Sequence, residues 1–465
     1  MKFIKTIMAG AALALGLSGV AQAATQEFYI CGSTAFRSNF ETACMHVLGS
    51  TDYVASSGTG TLPGGTTADG YPYGWGQTGS SLNLGGASQT ILTGSNSTVG
   101  AEICIHTCWT GSESGIYAVG INSGTGASPA GGFIPLAVSG TNTPLLTTGT
   151  FGLTAGTSHV PDACMSDTYQ STSQWYGGSS NEFYDGSYHS MATLNAVTGD
   201  PVAVTYFTFL VSNSGSAAGI SNITSEQAKY LYGTAGKLPL PYLAPGTANT
   251  SAYVYALGRD PDSGTRLTTM GEIGNGNLGG VVQYNVYDSG TNQITSAAST
   301  ISFIKTFPAT TVNSQAIGIG NGGYNSGGNL VKATAAENAG GSSSPFKLNS
   351  VAGSAAATGS CLISYASLSD GANINGHGIF INYNGVPATN TNVQLGTYPL
   401  WTYEHMYLST NIGATQSTIA QTIANQIKTV DYTGTGCVQR SSMKVERDPT
   451  HTTGDGGAVI TPGTL

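Results

Sequence analysis

Apolar residues in this chain fall in short runs, separated by long stretches rich in Gly, Ser and Thr. Gln26 to Cys31 reads as a short strand that runs into Gly32-Ser33-Thr34-Ala35. From Phe36 to Leu48 the residues Phe36, Phe40, Ala43, Cys44 and Val47 recur at spacings of three and four, the period of one helix face. Ala101 to Cys108 reads as a strand, followed by Trp109-Thr110-Gly111-Ser112-Glu113-Ser114-Gly115-Ile116. Val160 to Cys164 leads into Met165-Ser166-Asp167. Val202 to Ser212 (VAVTYFTFLVS) is the strongest strand signal, dense in β-branched and aromatic residues. Ile223-Thr224-Ser225-Glu226-Gln227 has the form of a capping box, with Thr224 or Ser225 as N-cap and the helix continuing to Leu231. Ala252 to Leu257 is another strand. It runs into Gly258-Arg259-Asp260-Pro261-Asp262-Ser263-Gly264-Thr265-Arg266, after which a helix is expected. Cys361 to Tyr365 and Gly378 to Tyr383 are further strands, and Ser417 to Val430 is a late amphipathic helix. Residues 49–100 read as an extended loop or hairpin insertion, 121–158 as loops, and the tail after Arg440 as polar and frayed. Strands alternating with helices predict an α/β fold with mixed sheets. The absence of an internal repeat weighs against a solenoid or propeller.

The first residues change the picture. Lys2 and Lys5 precede an apolar run from Ile7 to Val20, and Ala21-Gln22-Ala23 fits the small-x-small cleavage rule, so residues 1–23 read as a secretory signal peptide. No later run is long enough to span a bilayer, and no Cys stands at the cleavage site. A periplasmic or extracellular mature protein is expected. Its length of about 440 residues favours two lobes. With the leader removed, 12 basic residues face 23 acidic ones, a net −11. No basic stripe exists for nucleic acid. Charged residues are 8% of the chain and Gly 67 of 465, yet 40% hydrophobic residues with 24 Tyr and 13 Phe can bury a core. Outside the cytoplasm most of Cys31, Cys44, Cys104, Cys108, Cys164, Cys361 and Cys437 are expected in disulfides, with one left over. Their connectivity is open. Cys104-Ile-His106-Thr-Cys108 has two thiols around a His, but no second ligand pair accompanies it. Neither a metal nor a cofactor is expected.

Candidate chemistry lies in one pattern used three times: a strand ending in a Gly/Ser/Thr turn from which a helix starts. The turns are Gly32-Ser33-Thr34, Gly111-Ser112-Glu113-Ser114-Gly115 and Ser263-Gly264-Thr265. A helix N-terminus presents unpaired N–H groups and the positive end of the dipole, Gly allows close approach, and hydroxyls add donors, a combination suited to a phosphate-sized oxyanion. Of five arginines in the chain, Arg37, Arg259 and Arg266 lie in or beside these turns. Guanidinium offers a planar donor fork to oxyanions; the competing role for Arg259 and Arg266 is an ion pair with Asp260 or Asp262. Asp167 beside an anion is repulsive unless the anion carries a proton, because an ionised carboxylate only accepts. Such an Asp favours protonated phosphate over sulfate.

Taken together these residues resemble the phosphate-binding proteins of ABC phosphate transporters, of the type II periplasmic-binding fold. Arg259-Asp260-x-x-Ser263-Gly264-Thr265 is similar to the family's Arg-x-x-x-Ser-Gly-Thr loop. Gly32-Ser33-Thr34-Ala35-Phe36 is similar to its first strand-to-helix loop, and residues 111–116 to its Gly-Ser-Ser-Gly-Gly loop, with Glu113 where the family has a small residue. Met165-Ser166-Asp167 stands at the place of its selectivity aspartate, and Gly396-Thr397-Tyr398-Pro399-Leu400 resembles its late Tyr-Pro segment. The resemblance implies one lobe of residues 24–205 plus 360–435, a second of 206–359, a polar tail of 436–465, and hinges near Val202 to Phe209 and Cys361 to Gly378. It implies inorganic phosphate or a related oxyanion as ligand, held by Ser33, Thr34, Ser112, Asp167, Arg259, Ser263, Gly264 and Thr265, an ABC transporter permease as partner, and no enzymatic activity.

Two other readings remain open. A structural or adhesive surface protein would keep the fold without the ligand, and the test is whether the site residues converge. A secreted phosphoesterase would need an activated nucleophile, but Ser33, Ser112 and Ser263 lie in no Gly-x-Ser-x-Gly elbow. The histidines show no HExxH pattern, and His405, in Trp401-Thr402-Tyr403-Glu404-His405, reads as a packed or surface residue.

Overall fold

The computed structural model describes residues 25–48, 52–55, 74–77, 89–121, 159–173, 193–276, 280–296, 298–312, 315–336, 345–431, 435–447 and 459–460. The expected signal peptide, and most of the stretches 56–88 and 121–158, lie outside them.

The protein is a mixed α/β structure built on one continuous sheet. Its principal strands are β1 (Gln26–Gly32), β2 (Gln89–Asn96), β3 (Ala101–Cys108), β4 (Ala163–Ser166), β5 (Ala203–Ser212), β6 (Tyr253–Ala256), β7 (Cys361–Ser367), β8 (Gly378–Tyr383) and β9 (Trp401–Leu408). The main path runs β6-β7-β5-β9-β4-β1-β3-β2 and ends in the short strands Asp52–Ala55 and Gly74–Gln77. Part of the segment expected as an insertion is therefore sheet, because β2 pairs antiparallel with β3 along its whole length. The helices that bear on the site are α1 (Arg37–Leu48), α2 (Ser112–Gly120), α3 (Ser225–Tyr230), α4 (Gly264–Glu272), α5 (Gly327–Ala336) and α6 (Ala414–Thr429).

β1 is central to one half of the sheet. It runs parallel to β3 and to β4, with Cys31 level with both Cys108 and Cys164. The three strands therefore end together, and Gly32-Ser33, Gly111-Ser112 and Asp167 emerge from the same edge. The carboxyl edge of parallel strands is where α/β sheets place ligands. β5 joins the halves. Ala203–Tyr206 pairs with β9, whereas Phe207–Val211 pairs with β7. Every residue of β5 is buried, which explains a run of apolar residues without alternation.

Three apolar clusters account for most of the described interior. One packs Phe28, Ile105 and Met406 against Phe40 of α1 and Ile423 of α6. A second surrounds Phe209, Tyr365, Tyr383 and Trp401, and a third holds Leu257, Val286, Ile304 and Leu330. The helical face read from Phe36, Phe40, Ala43, Cys44 and Val47 is buried throughout. Thr224 caps α3 in a full capping box with Gln227.

Two expectations are corrected. No disulfide joins the seven cysteines. All are buried, most of them at interior strand positions where the thiol packs as a small apolar side chain. Burial pushes the Cys437 thiol up to about 12, away from the reactive thiolate. The segment after Arg440 does not fray where it is described. Arg447 donates from Nε to Trp401 O (2.8 Å) and from Nη2 to Pro399 O (2.6 Å), and it stacks 4.5 Å from the Trp401 ring.

Candidate functional site

The site is built where the carboxyl ends of β1, β3 and β4 meet the loop leading from β6 into α4. Backbone bonds join the parts first. Ser33 N donates to Met165 O (2.9 Å), Gly111 N to Gly32 O (2.9 Å), and Glu113 N to Asp262 O (3.1 Å). The last of these spans from the α2 turn to the α4 turn, so one N–H that the pattern offers to a ligand is taken by Asp262. Gly111 has φ 123° and packs against Asp262 O; a β-carbon there would overlap that oxygen. Only glycine permits the two turns to touch.

Asp167 stands at the centre, 1% exposed. Its Oδ1 accepts from Ser112 Oγ, and its Oδ2 accepts from Thr265 Oγ1 at 3.2 Å. A β-carbon on Gly264 would overlap Asp167 Oδ1 and press on Ser112. The backbone of Asp167 is fixed as well: its carbonyl accepts from Thr402 Oγ1 at 3.0 Å. Burial raises the Asp167 carboxyl above the usual carboxylate range, and the Ser112 bond, the Arg259 charge and the Thr265 bond oppose it. Ser112, Asp167, Gly264 and Thr265 are thus in direct contact.

Arg259 is 1% exposed. Its Nε donates to Tyr324 O (3.0 Å) and its Nη2 to Asn325 O (3.2 Å). Its charge acts on both Asp167 and Asp370. Arg37, at the start of α1, shares that field: burial depresses its pKa, the Asp370 and Glu41 charges oppose this, and Arg259 adds to the lowering. Asp370 itself, raised by burial, accepts from Ser367 Oγ at 2.7 Å. Arg37 and Arg259 thus bring two buried guanidiniums to a cluster of buried carboxyls, Asp167, Asp260, Asp370 and Glu41.

Other candidates have different work. Ser263 Oγ caps α4, accepting from Arg266 N at 3.2 Å. Ser33 Oγ accepts from Phe36 N at 3.3 Å, and Thr34 follows it in the same buried turn. Arg266 turns away from the site. Its Nη1 donates to Asn321 O (2.7 Å) and Arg259 O (3.2 Å), and its Nη2 to Asn321 Oδ1, so it braces the loop.

Glu113, the departure from a small residue in the second turn, is also accounted for. It is fully buried, and accepts from Thr168 Oγ1 and Ser173 Oγ, both at 2.6 Å, tying α2 to the segment after β4. No histidine approaches the candidate serines by any hydrogen bond described. His405 is buried, paired through Nδ1 with Asp200 Oδ2 at 2.5 Å and stacked on Tyr407. Cys104 Sγ lies 3.3 Å from His106 Nε2, and among the described residues no three such side chains gather as a metal site.

Sequence reasoning missed Asp370 and Glu404. Nothing in Ser369-Asp370-Gly371 marks the first. Glu404 had a signal, being the one carboxylate in a strand buried at all eight positions.

No family model matches the sequence, and no curated protein matches it. Solved structures do match. The chain is similar to a protein from Clostridium perfringens described as a phosphate ABC transporter substrate-binding protein and solved with bound phosphate, at 12% identity and a TM-score of 0.40, over 89% of this chain and 99% of that one. It is similar to PstS from Borrelia burgdorferi at 10% identity and a TM-score of 0.33, over 89% and 98%. An ABC-type phosphate transport receptor from Vibrio cholerae matches at 13% identity and a TM-score of 0.30, over 57% and 74%. Likenesses this distant assign no ligand to this chain.

Proposed function

We propose that this chain binds phosphate outside the cytoplasm, closing residues 24–205 plus 360–435 on residues 206–359 around the anion and passing it to an ABC transporter permease. One observation carries the reading. Hydroxyls from two separate strand-to-helix turns, Ser112 and Thr265, already hold an oxyanion between them, the carboxylate of Asp167, against the bare backbone of Gly264. Donors arranged for one oxyanion can hold another. Arg259 supplies the neutralising charge, and Ser33, Thr34 and Ser263 line the neighbouring turns. Asp167 then faces the ligand as an acceptor, which a hydrogen-bearing phosphate satisfies and sulfate does not. β5, shared by both halves of the sheet, is the element about which they would close. Binding rather than turnover is favoured because Ser33 and Ser263 accept from backbone N–H groups of their turns, Ser112 is spent on the Asp167 carboxylate, and no described hydrogen bond sets a histidine against any of the three.

Calorimetric titration of the mature, ligand-stripped chain with phosphate and then sulfate tests this. Phosphate binding that Arg259→Ala removes, with sulfate ignored, is the expected result. No heat and no thermal shift with any oxyanion would overturn it in favour of a surface protein that keeps the fold alone.

A further inference from the structure

Glu404 lies beside Asp167 on the neighbouring strand. His405 pairs with Ser166 across the β4–β9 ladder, so Glu404 stands opposite Asp167 as the chain leaves β4. Gly32 pairs with Met165 on the other side of β4, which puts Ser33 level with Ser166, one position short of Asp167. Alternation along β9 gives Glu404 the face of Thr402, whose hydroxyl already bonds the Asp167 backbone. Glu404 and Asp167 therefore stand level on adjacent strands at the edge that carries the site, and the Ser33 hydroxyl, from the next strand, acts on the Glu404 carboxyl.

The surroundings of Glu404 are unusual. It is fully buried, and neither carboxyl oxygen has a well-formed hydrogen bond. The Ser33 hydroxyl lies near enough to oppose the rise in its pKa. No cation is paired with it among the described residues. The groups that face it are Asp167 and Asp200, both carboxylates, the Ser33 hydroxyl, and the thiols of Cys164 and Cys437. A charged carboxylate cannot be kept in such a place, whereas a neutral acid can. Burial first and the Asp167 charge second hold its pKa well above the usual range. A neutral acid with both oxygens unmet is a donor without an acceptor, and leaving it so is costly.

We propose that Glu404 is the second acid of this anion site: its protonated carboxyl donates a hydrogen bond to the bound oxyanion on the Ser33 side, while Asp167 accepts one from it. The site then offers one acceptor and one uncharged donor, the complement of a hydrogen-bearing tetrahedral oxyanion, which has both. A neutral donor adds no charge beside Asp167, as a lysine or arginine would. The inference rests on the phosphate-binding reading and adds a specificity-determining residue to it.

The test compares Glu404→Gln, which keeps a neutral donor of the same shape, with Glu404→Met, which keeps the volume and removes the donor. Phosphate affinity is expected within about threefold of wild type in E404Q and at least tenfold weaker in E404M. Infrared difference spectra (wild type minus E404Q) should show a protonated carboxylic acid band at neutral pH that shifts on adding phosphate. E404M binding like wild type, or an acid band that is absent or unmoved by phosphate, overturns the role of Glu404 while leaving phosphate binding intact. Failure of the wild-type protein to bind phosphate overturns both, and the band in the phosphate-free protein separates that outcome from a misassigned protonation state.

Discussion

Asp167 Oδ2 accepts the hydroxyl of Thr265 at 3.2 Å, across 98 residues of chain. A carboxylate that emerges from β4 is thus met by the turn that opens α4, and Asp167 is the point at which the two donor turns converge. Asp167→Asn replaces an obligate acceptor with a side chain that can also donate. Discrimination between phosphate and sulfate should fall at least tenfold, with sulfate binding gained, in parallel titrations of the variant and the parent.

Gly264→Ala should be severe. The new methyl would overlap Asp167 Oδ1 and crowd Ser112. Overpacking of this kind costs roughly 1–3 kcal/mol, and here it also displaces the residue on which the donors converge. A lower melting temperature together with loss of phosphate binding is expected. Wild-type affinity in this variant would show that the donors do not converge at Asp167.

Arg259 and Arg266 should separate by assay. Arg259 faces Asp167 and Asp370, whereas Arg266 is spent on Asn321 and on the Arg259 carbonyl. Arg259→Ala should weaken phosphate binding by about 2–5 kcal/mol, the usual cost of truncating a buried charge partner. Arg266→Ala should lower the melting temperature first and affinity only as the loop loosens. Calorimetry and thermal melting on the same two variants decide this.

The buried acids set an unusual pH dependence. Glu41 accepts from Thr90, Thr107 and Trp109, yet burial still raises its pKa to about 7 from 4.5. A carboxyl whose folded pKa lies above its unfolded one binds its proton more tightly when folded. Its contribution is therefore full below the unfolded pKa and is lost as pH rises through the folded value, by roughly 3 kcal/mol at most. Melting temperature should decline between about pH 4.5 and pH 7, and Glu41→Gln should flatten that decline.

Arg447 clamps the late chain to β9 through Trp401 and Pro399. Arg447→Ala removes the side-chain donor from Trp401 O and Pro399 O, though Pro399 O keeps the Trp401 N–H, and should cost about 1–3 kcal/mol, read as a drop in melting temperature. An unchanged melt would restore the frayed tail expected from the sequence.

Where the sequence was legible, local physics was the reason. The α1 face, the Thr224 cap and the all-buried β5 follow from periodicity, capping chemistry and β-branched content, each of which acts over a few residues. Arg259 with Ser263-Gly264-Thr265 was legible because one turn holds both the donor fork and the helix start. The cysteines misled, because compartment argues for pairing while position in a strand argues for packing, and a single sequence does not give strand neighbours. The late segment misled for a similar reason: Arg447 reads as a surface charge until Trp401 is beside it.

By itself the sequence determined several of the strands and helices, that three strands end in turns suited to an anion, and that an Arg, an Asp and hydroxyls of the right kind are present. Tertiary structure alone decided which of these meet. Registry across β4, β1 and β3 brings the turns to one edge, the close contact at Gly111 and Gly264 sets the donors around Asp167, and the β4–β9 ladder places Glu404 beside it. Such contacts join residues a hundred or more positions apart and depend on the packing of the whole sheet, so no local pattern in the chain records them.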